Sequence, residues 1–218
     1  MPQLVPRGYG GCDPMIISHE HKFVFIKTRK TAGSTLEALL FPYLNKETDI
    51  CTGSPRDGTP RLNTPDDNGH ASYSEAMKYV TNPDEYFVFT IERNPWDKMV
   101  SGYWWHKQTK PEWDWVQSFD KYMGCPYIPR DWNKYTIQGK NATDRIFRYE
   151  DMGSMYMFLN ERYNFSITED QYQNTRMKSG VRKSGHYSEM YIPQTRQSVA
   201  KTFKQEIYML GYEYEQSN

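Results

Sequence analysis

The chain has 218 residues, and its 27 Lys and Arg balance its 27 Asp and Glu, so the formal net charge at pH 7 is zero. This length fits one domain with a sizeable core, and the even charge removes the electrostatic argument for a dedicated nucleic-acid binder. The three cysteines are widely spaced and no stretch reads as a membrane span or a secretion signal, so we expect one cytoplasmic domain, 1–218, without a membrane partner.

The first predicted strand and helix enclose a short polar turn. Residues 1–20 contain Gly and Pro and few periodic apolar positions, which predicts a loose N-terminal arm. The apolar run Phe23–Ile26 predicts a buried parallel strand, and apolar residues at helical spacing from Leu36 predict a helix. Backbone N–H groups at a helix start favour an anion. An ordinary capping box, Ser34-x-x-Glu37, is the alternative interpretation of the same turn.

A long loop and a second strand come next. Residues 45–69 are rich in Pro, Gly, Asp, Asn and Thr without periodicity, which is typical of a lid, a binding segment or a disordered segment. His70 then precedes a second capping box, Ser72-x-x-Glu75, and so lies at a helix entrance. The apolar run at 86–91 predicts another buried parallel strand.

The third predicted helix carries a possible phosphate site. Arg93 follows the second strand, Asn94 is a candidate N-cap, and Pro95 suits the first helical position. Ser101 lies about two turns into this helix, away from its apolar stripe, and is free to face a ligand. A guanidinium and a hydroxyl from different elements are suitable donors to a phosphate. Considered without its neighbours, Arg93 would be interpreted as a surface residue in an ion pair, and Ser101 as a polar residue on the helix surface.

The rest of the chain predicts an insertion, a third strand and further helices. Residues 109–143 form a Trp-containing excursion, where we expect acceptor specificity. RIFRY at 145–149 predicts a strand, and a final helix begins at Pro193 and stops at Gly211. Strands alternating with helices predict an α/β fold with a central parallel sheet flanked by helices, a P-loop-like three-layer arrangement.

Several strings resemble the sulfotransferases that use 3′-phosphoadenosine 5′-phosphosulfate. KTAGST at 30–35 resembles their 5′-phosphosulfate loop, and IERNPWDKMVSGY at 91–103 resembles the segment of the carbohydrate-type members that holds the 3′-phosphate. RYEDM at 148–152 and HYSEMY at 186–191 are similar to two later segments, so the resemblance covers most of 23–212. No G-x-x-x-x-G-K-[ST] string of the nucleotide triphosphatases occurs.

The resemblance implies roles for particular residues. Lys30 would neutralise charge on the bridging oxygen, with simple phosphate binding as its alternative role, and His70 would be the base, with His106 and His186 as competitors. Arg182 and Lys183 loosely resemble a segment that adds contacts to the 3′-phosphate, although Ser184 stands where the family has Gly. The residues expected to bind the donor are Lys30, Thr31, Ala32, Gly33, Ser34, Thr35, Arg93, Ser101, Arg182 and Lys183.

The resemblance thus predicts in-line transfer of a sulfuryl group to an acceptor hydroxyl, without a metal. The acceptor would be a small molecule or a glycan, and we expect a carbohydrate. The product of the donor would be 3′,5′-adenosine bisphosphate. Two other functions stay open at this point, namely a kinase with an atypical phosphate loop and a non-catalytic nucleotide-binding module on the same fold. Dependence on Mg²⁺ and a nucleoside triphosphate would identify the kinase, and binding without transfer would identify the module.

Overall fold

The computed structural model describes residues 15–53, 58–64, 72–175, 183 and 185–216. Its strands are β1 (Met15–Ser18), β2 (Phe23–Ile26), β3 (Ile50–Cys51), β4 (Phe87–Glu92), β5 (Thr136–Ile137), β6 (Lys140–Asn141) and β7 (Arg145–Arg148). Five of them form a sheet of order β3-β1-β2-β4-β7, and β5 and β6 form a separate hairpin.

The sheet is parallel at its centre. β2 pairs with β4 and β4 with β7 in parallel, whereas β1 pairs antiparallel with both β2 and β3. Of these five strands, β1 therefore runs against the other four. Because β2, β4 and β7 point the same way, the loops that leave their carboxyl ends meet at one edge of the sheet.

Helices cover both faces of this sheet. They are α1 (Gly33–Leu40), α2 (Tyr73–Ala76), α3 (Pro95–Thr109), α4 (Phe119–Tyr122), α5 (Met152–Tyr163), α6 (Glu169–Thr175), α7 (Pro193–Thr202) and α8 (Lys204–Leu210). Successive residues of β2 point to opposite faces: Phe23 and Phe25 pack in one cluster with α1 and α5, and Val24 and Ile26 pack in another with α2. The chain is thus an α/β protein with a mostly parallel sheet flanked by helices.

Part of the expected N-terminal arm is a strand. Met15–Ser18 is β1, which is fully buried between β2 and β3, so the prediction of a loose arm is wrong for these four residues. The reason is that Met15 and Ile17 bury their side chains on one face of the sheet and Ile16 on the other. Residues 1–14 of the arm lie outside the described residues.

The two expected loops also carry regular structure. Within 45–69, Ile50–Cys51 forms β3; within 109–143, α4 and the β5–β6 hairpin occur, and Val116, Phe119 and Tyr122 are buried against α3. The predicted final helix is interrupted at Phe203 and forms α7 and α8. In the described ranges, no helix is both long and apolar enough to cross a bilayer.

Candidate functional site

The loop between β2 and α1 has an unusual backbone. Lys30 and Ala32 both adopt positive φ, at 64° and 61°, a region that side-chain-bearing residues seldom occupy. Ala32 is the N-cap of α1 and offers no side-chain hydrogen bond to the first turn. Strained backbone of this kind concentrates at ligand sites, and amides that lack a side-chain cap favour an anion.

The capping-box alternative is wrong, because Ser34 lies inside α1 and binds a lysine. The Ser34 Oγ accepts a 3.0 Å hydrogen bond from Lys27 Nζ, and the same ammonium lies 2.6 Å from Glu37 Oε2. Lys27 and Glu37 are buried, so their pairing replaces the box that the spacing predicted. Lys27 therefore stabilises the start of α1 from beneath the loop.

Gly33 is required by the path of Lys27. The lysine side chain crosses the first turn of α1 so closely that a Cβ built on Gly33 would lie 2.8 Å from Lys27 Cδ. Real side chains essentially never approach this closely. The glycine of KTAGST thus serves packing against Lys27, not backbone freedom.

Arg29 is held by a residue of the 109–143 segment. Its backbone N–H and its Nε donate to the two carboxylate oxygens of Asp131, at 2.9 and 2.8 Å. Asp131 is fully buried and lies in the 109–143 segment. This segment therefore fixes the backbone of the loop between β2 and α1.

Lys30 extends over an aromatic ring of α3. Its Nζ lies 4.7 Å from the centre of the Trp105 ring, a cation–π distance. Lys27 lies against Glu37 and Arg29 against Asp131, whereas the ammonium of Lys30 lies over the ring of Trp105. Lys30 is also partly exposed, unlike the buried Lys27.

Threonines join the loop to the end of β4. Thr28 Oγ1 donates to the carbonyl of Ile91, and Thr31 Oγ1 donates to the carbonyl of Thr28 at 3.0 Å. Thr31 and Thr35 are almost completely buried. The Thr31 hydroxyl is thus already hydrogen-bonded within the loop. The backbone N–H of Thr31, not its side chain, is the group that can face an anion.

Arg93 connects the loop to the start of α3. Its Nη1 donates to the Lys30 carbonyl at 3.1 Å, its Nη2 lies 2.6 Å from Asp97 Oδ2, and its guanidinium stacks 4.0 Å from the centre of the Tyr149 ring. The next residues cap and open α3 as predicted, since Asn94 Oδ1 accepts from the Trp96 N–H and Pro95 begins the helix. Arg93 thereby supports the residue whose backbone is strained.

Ser101 belongs to a row of residues along one side of α3. Asp97, Ser101 and Trp105 are four residues apart, a spacing that places them on one ridge of a helix. Asp97 contacts Arg93, and Trp105 contacts Lys30, so the ridge follows the loop and Ser101 lies between these two contacts. The helix thus brings Ser101 to the same side as Arg93 and Lys30.

The structure describes only some of the remaining residues that the sequence predicts for the site. His70 and Arg182 lie outside the described residues, and Lys183 is exposed. His186 Nδ1 accepts from the Ser188 N–H at 3.4 Å, within the turn that opens Tyr187–Met190. His186 therefore has a structural role as the cap of this turn.

His106 is close to the loop and neutral. Burial lowers the pKa of its imidazole to about 4, and the charges of Lys30 and Arg29 contribute in the same direction. Its Nδ1 lies 2.8 Å from the hydroxyl of Tyr122, and its ring lies 5.4 Å from that of Trp113. Of the two competitor histidines, His106 is the one beside Lys30.

Sequence reasoning missed a buried charge cluster under the site. Lys98 Nζ lies 2.9 Å from Glu92 Oε2 and 3.0 Å from Asp131 Oδ2, and all three side chains are at most 1% exposed. Burial alone would raise the pKa of Asp131, but Lys98 and Arg29 hold it well below its ordinary value. For Glu92 burial prevails and the pKa is raised, although Lys98 opposes the shift.

The sequence holds little sign of this cluster. At about 100° per residue, Lys98 lies roughly half a turn from the centre of the apolar stripe of α3, so periodicity gives no signal of burial. Asp131 comes from a segment without clear periodicity.

The described ranges contain no group of three or more His, Cys, Asp or Glu arranged for a metal ion. A scan against models of protein families matches residues 13–164 to the model described as "Sulfotransferase family". This match includes β1 to β7 and all of α5. Searches of curated proteins and of solved structures found no match.

Proposed function

Because the chain belongs to the sulfotransferase family, we propose that it moves a sulfuryl group from 3′-phosphoadenosine 5′-phosphosulfate to a hydroxyl of a saccharide. Sulfuryl transfer and a small-molecule or glycan acceptor are what the family implies. The identity of the donor, the saccharide and a cytoplasmic location are the proposed parts.

The observation that supports this proposal most is the link between two corners of the sheet. The first corner is the loop 27–32 with the start of α1, and the second is Arg93 with the start of α3. They are joined by the 3.1 Å bond from Arg93 Nη1 to the Lys30 carbonyl. Both corners follow carboxyl ends of neighbouring parallel strands, where an open α/β sheet binds its ligands. We take this layout as P-loop-like.

In the proposed complex each corner holds one end of the donor. The first turn of α1 and Lys30 bind the 5′-phosphosulfate, and Arg93 and Ser101, with Arg182 and Lys183, bind the 3′-phosphate. A doubly charged ligand suits this division, because a helix start favours an anion and a guanidinium is a permanently charged donor. Arg93 would hold the phosphate while keeping Asp97 and Lys30 in place.

The reaction then needs a base and a cation. The acceptor oxygen attacks sulfur and loses its proton to His70, while the bond between sulfur and the bridging oxygen breaks and its electron pair stays on the phosphate. Lys30 would neutralise that developing charge. Placing preorganised charge in this way is usually the largest single contribution to catalysis.

The first test is binding and transfer by the wild-type chain. We expect calorimetry to show tight binding of 3′,5′-adenosine bisphosphate without Mg²⁺. We also expect labelled sulfate to pass to at least one member of a panel of desulfated heparin, unsulfated chondroitin, lactose and 4-nitrophenol. Preference for ATP with Mg²⁺ would instead support a kinase, and binding without transfer to any acceptor would contradict the proposed activity.

The second test changes Lys30. We expect Lys30→Ala to lower kcat about 10²- to 10³-fold, the usual effect of removing one preorganised charge, with an unchanged melting temperature. Lys22→Ala is the matched control, since Lys22 is a half-exposed lysine at the opposite end of β2. Equal activity of the two variants would rule out the role given to Lys30.

The third test changes His70. We expect His70→Ala to lower kcat about 10²- to 10⁴-fold, as loss of a general base does, and to leave binding of 3′,5′-adenosine bisphosphate intact. His186→Ala serves for comparison and should retain activity, because its ring caps a turn. Normal turnover by His70→Ala would show that the base is another group.

A further inference from the structure

His106 and Tyr122 form a hydrogen-bonded pair next to Trp105, the residue whose ring Lys30 contacts. Tyr122 is 0% exposed, and the one hydrogen bond its hydroxyl makes within the described ranges is to Nδ1 of His106, at 2.8 Å. The histidine ring is half-buried and lies 5.4 Å from Trp113, whose ring lies 5.1 Å from that of Tyr127. The pair therefore joins α3 to α4 and to the aromatic residues of the 109–143 segment.

The surroundings of Tyr122 decide which nitrogen of His106 carries the proton. A buried O–H without an acceptor costs about 1–3 kcal/mol, so the phenol donates to the one acceptor it has, Nδ1. Burial also raises the pKa of Tyr122, which keeps this O–H protonated. With Nδ1 accepting, the neutral ring carries its proton on Nε2.

The exposed edge of the imidazole is then a donor, not a base. Nδ1 faces the buried tyrosine, so Nε2, across the ring, is the nitrogen that a ligand can reach. Nε2 bonds to no residue in the ranges that the structure describes. Burial lowers the pKa of the ring, and the positive charges of Lys30, Arg29 and Lys110 act in the same direction, which leaves an uncharged N–H at Nε2.

We propose that His106 binds the acceptor, donating a hydrogen bond from Nε2 to an oxygen of the saccharide, with Tyr122 as the positioning residue that fixes the tautomer. This inference rests on the proposed function and names the acceptor side of the same site. A neutral donor suits the uncharged hydroxyl and ring oxygens of a sugar. The neighbouring rings of Trp113 and Tyr127 supply the aromatic surface on which sugars commonly pack.

Two substitutions separate a donor from a base. His106→Gln keeps an N–H near the position of Nε2 but cannot accept a proton, whereas His106→Phe keeps the ring packing and removes both nitrogens. We expect the KM for the best acceptor of the panel to rise about 3- to 10-fold in His106→Phe, the effect of one lost hydrogen bond. We expect His106→Gln to stay within about 3-fold of wild type, and neither variant to change the affinity for 3′,5′-adenosine bisphosphate.

The tautomer has a readout that does not depend on turnover. Nitrogen-15 NMR of the histidine ring should show protonated Nε2 and unprotonated Nδ1 in the wild type. Tyr122→Phe removes the phenol donor, so Nδ1 should gain proton occupancy and the acceptor KM should rise. A protonated Nδ1 in the wild type overturns the proposal.

The outcomes distinguish this proposal from the function on which it rests. Loss of about 10²-fold or more in kcat in both His106 variants would make His106 the base and overturn the donor role. Normal transfer with an unchanged acceptor KM in His106→Phe would overturn the acceptor contact alone. Failure of the wild type to bind 3′,5′-adenosine bisphosphate or to transfer sulfate would overturn the proposed function and the acceptor role together.

Discussion

Three cations lie within four residues of one another on the loop 27–32, the proposed phosphate loop, and each has different surroundings. Lys27 is buried against Glu37, Arg29 is held by Asp131, and Lys30 extends over Trp105. Charge alone does not distinguish them, because all three are permanently positive near neutral pH. Their partners distinguish them. Lys27 and Arg29 lie against carboxylates and Lys30 lies over an aromatic ring, so we take Lys30 as the side chain best placed to meet a ligand.

At the residue scale, the contact of Gly33 with Lys27 gives a first prediction. We expect Gly33→Ala to destabilise the protein by about 1–3 kcal/mol, since the new methyl group would overpack against the lysine stem, and to weaken binding of 3′,5′-adenosine bisphosphate. Urea unfolding and calorimetry measure the two effects. Gly153→Ala is the control, because open space surrounds Gly153 in α5 and alanine there should be neutral or slightly stabilising. Equal stability of the two variants would contradict the packing argument.

Sequence reasoning succeeds at this scale where a residue acts through its own neighbours in the chain. Asn94 and Pro95 open α3, and Ser72 with Glu75 forms the predicted capping box, because both motifs are local. It fails for Ser34 and Glu37, whose spacing is that of a capping box but whose partner is Lys27, seven and ten residues away. Local spacing holds no information about a side chain that arrives from the preceding strand.

At the scale of elements, α3 is the part around which the site is arranged. One ridge carries Asp97, Ser101 and Trp105 along the phosphate loop, and an adjoining position carries Lys98 into the buried charge cluster. The apolar stripe of the same helix packs on α4 and α7. The stripe and the helix start were predictable from periodicity and capping, whereas the burial of Lys98 depends on Asp131, 33 positions further along.

Asp131 gives a prediction at this scale. We expect Asp131→Ala to cost about 3–5 kcal/mol in the free energy of unfolding, because Lys98 would lose one of its two buried partners and Arg29 the carboxylate that holds its Nε. Affinity for 3′,5′-adenosine bisphosphate should also fall, since Asp131 holds the Arg29 backbone N–H. Denaturant unfolding with calorimetry measures both.

The control for that prediction is an exposed ion pair of the same segment. Asp114 pairs with Lys121 at 2.7 Å, and both side chains are at least half exposed. Asp114→Ala should therefore change stability by less than about 1 kcal/mol. If Asp131→Ala were as mild as Asp114→Ala, the buried cluster would not be what fixes the loop.

At the scale of the whole molecule, the strand pattern was the most predictable feature. Continuous apolar runs predicted β2 and β4 to within about one residue of the positions observed, and their parallel pairing agrees with the predicted sheet. The direction and position of β1 were not predictable from the chain before Phe23, because a short strand pairs according to which other strands are already in the sheet. For the same reason, β3 with its two residues gave no signal.

Glu206 gives a prediction for the molecule as a whole. It lies in α8, is 3% exposed, and its Oε2 has no hydrogen-bond partner within the described ranges. Burial raises its pKa from an ordinary 4.5 to about 7, and the nearby charge of Glu92 adds to the rise. The folded state thus holds this proton more tightly than the unfolded state does, so the stabilisation is complete below about pH 4.5 and is lost as the pH rises to about 7.

We therefore expect Glu206→Gln, which mimics the protonated side chain, to be more stable than the wild type by on the order of 2 kcal/mol at pH 8. Near pH 4.5 the two should be equally stable. Urea unfolding at both pH values measures the difference. Glu161→Gln changes an exposed residue of α5 and should show no such dependence on pH. A constant difference between Glu206→Gln and the wild type at both pH values would contradict the assignment.

The reversed direction of β1 has a consequence for how the chain folds. β1 and β2 are joined by four residues, whereas the partners β2 and β4 are separated by 60 residues and a helical crossover. Closing a short hairpin is fast, and pairing distant strands is slow. The strand that leads into the phosphate loop should consequently acquire its first partner at an early stage, and pulse-labelled hydrogen exchange during refolding should protect the amides of β1 and β2 before those shared by β4 and β7.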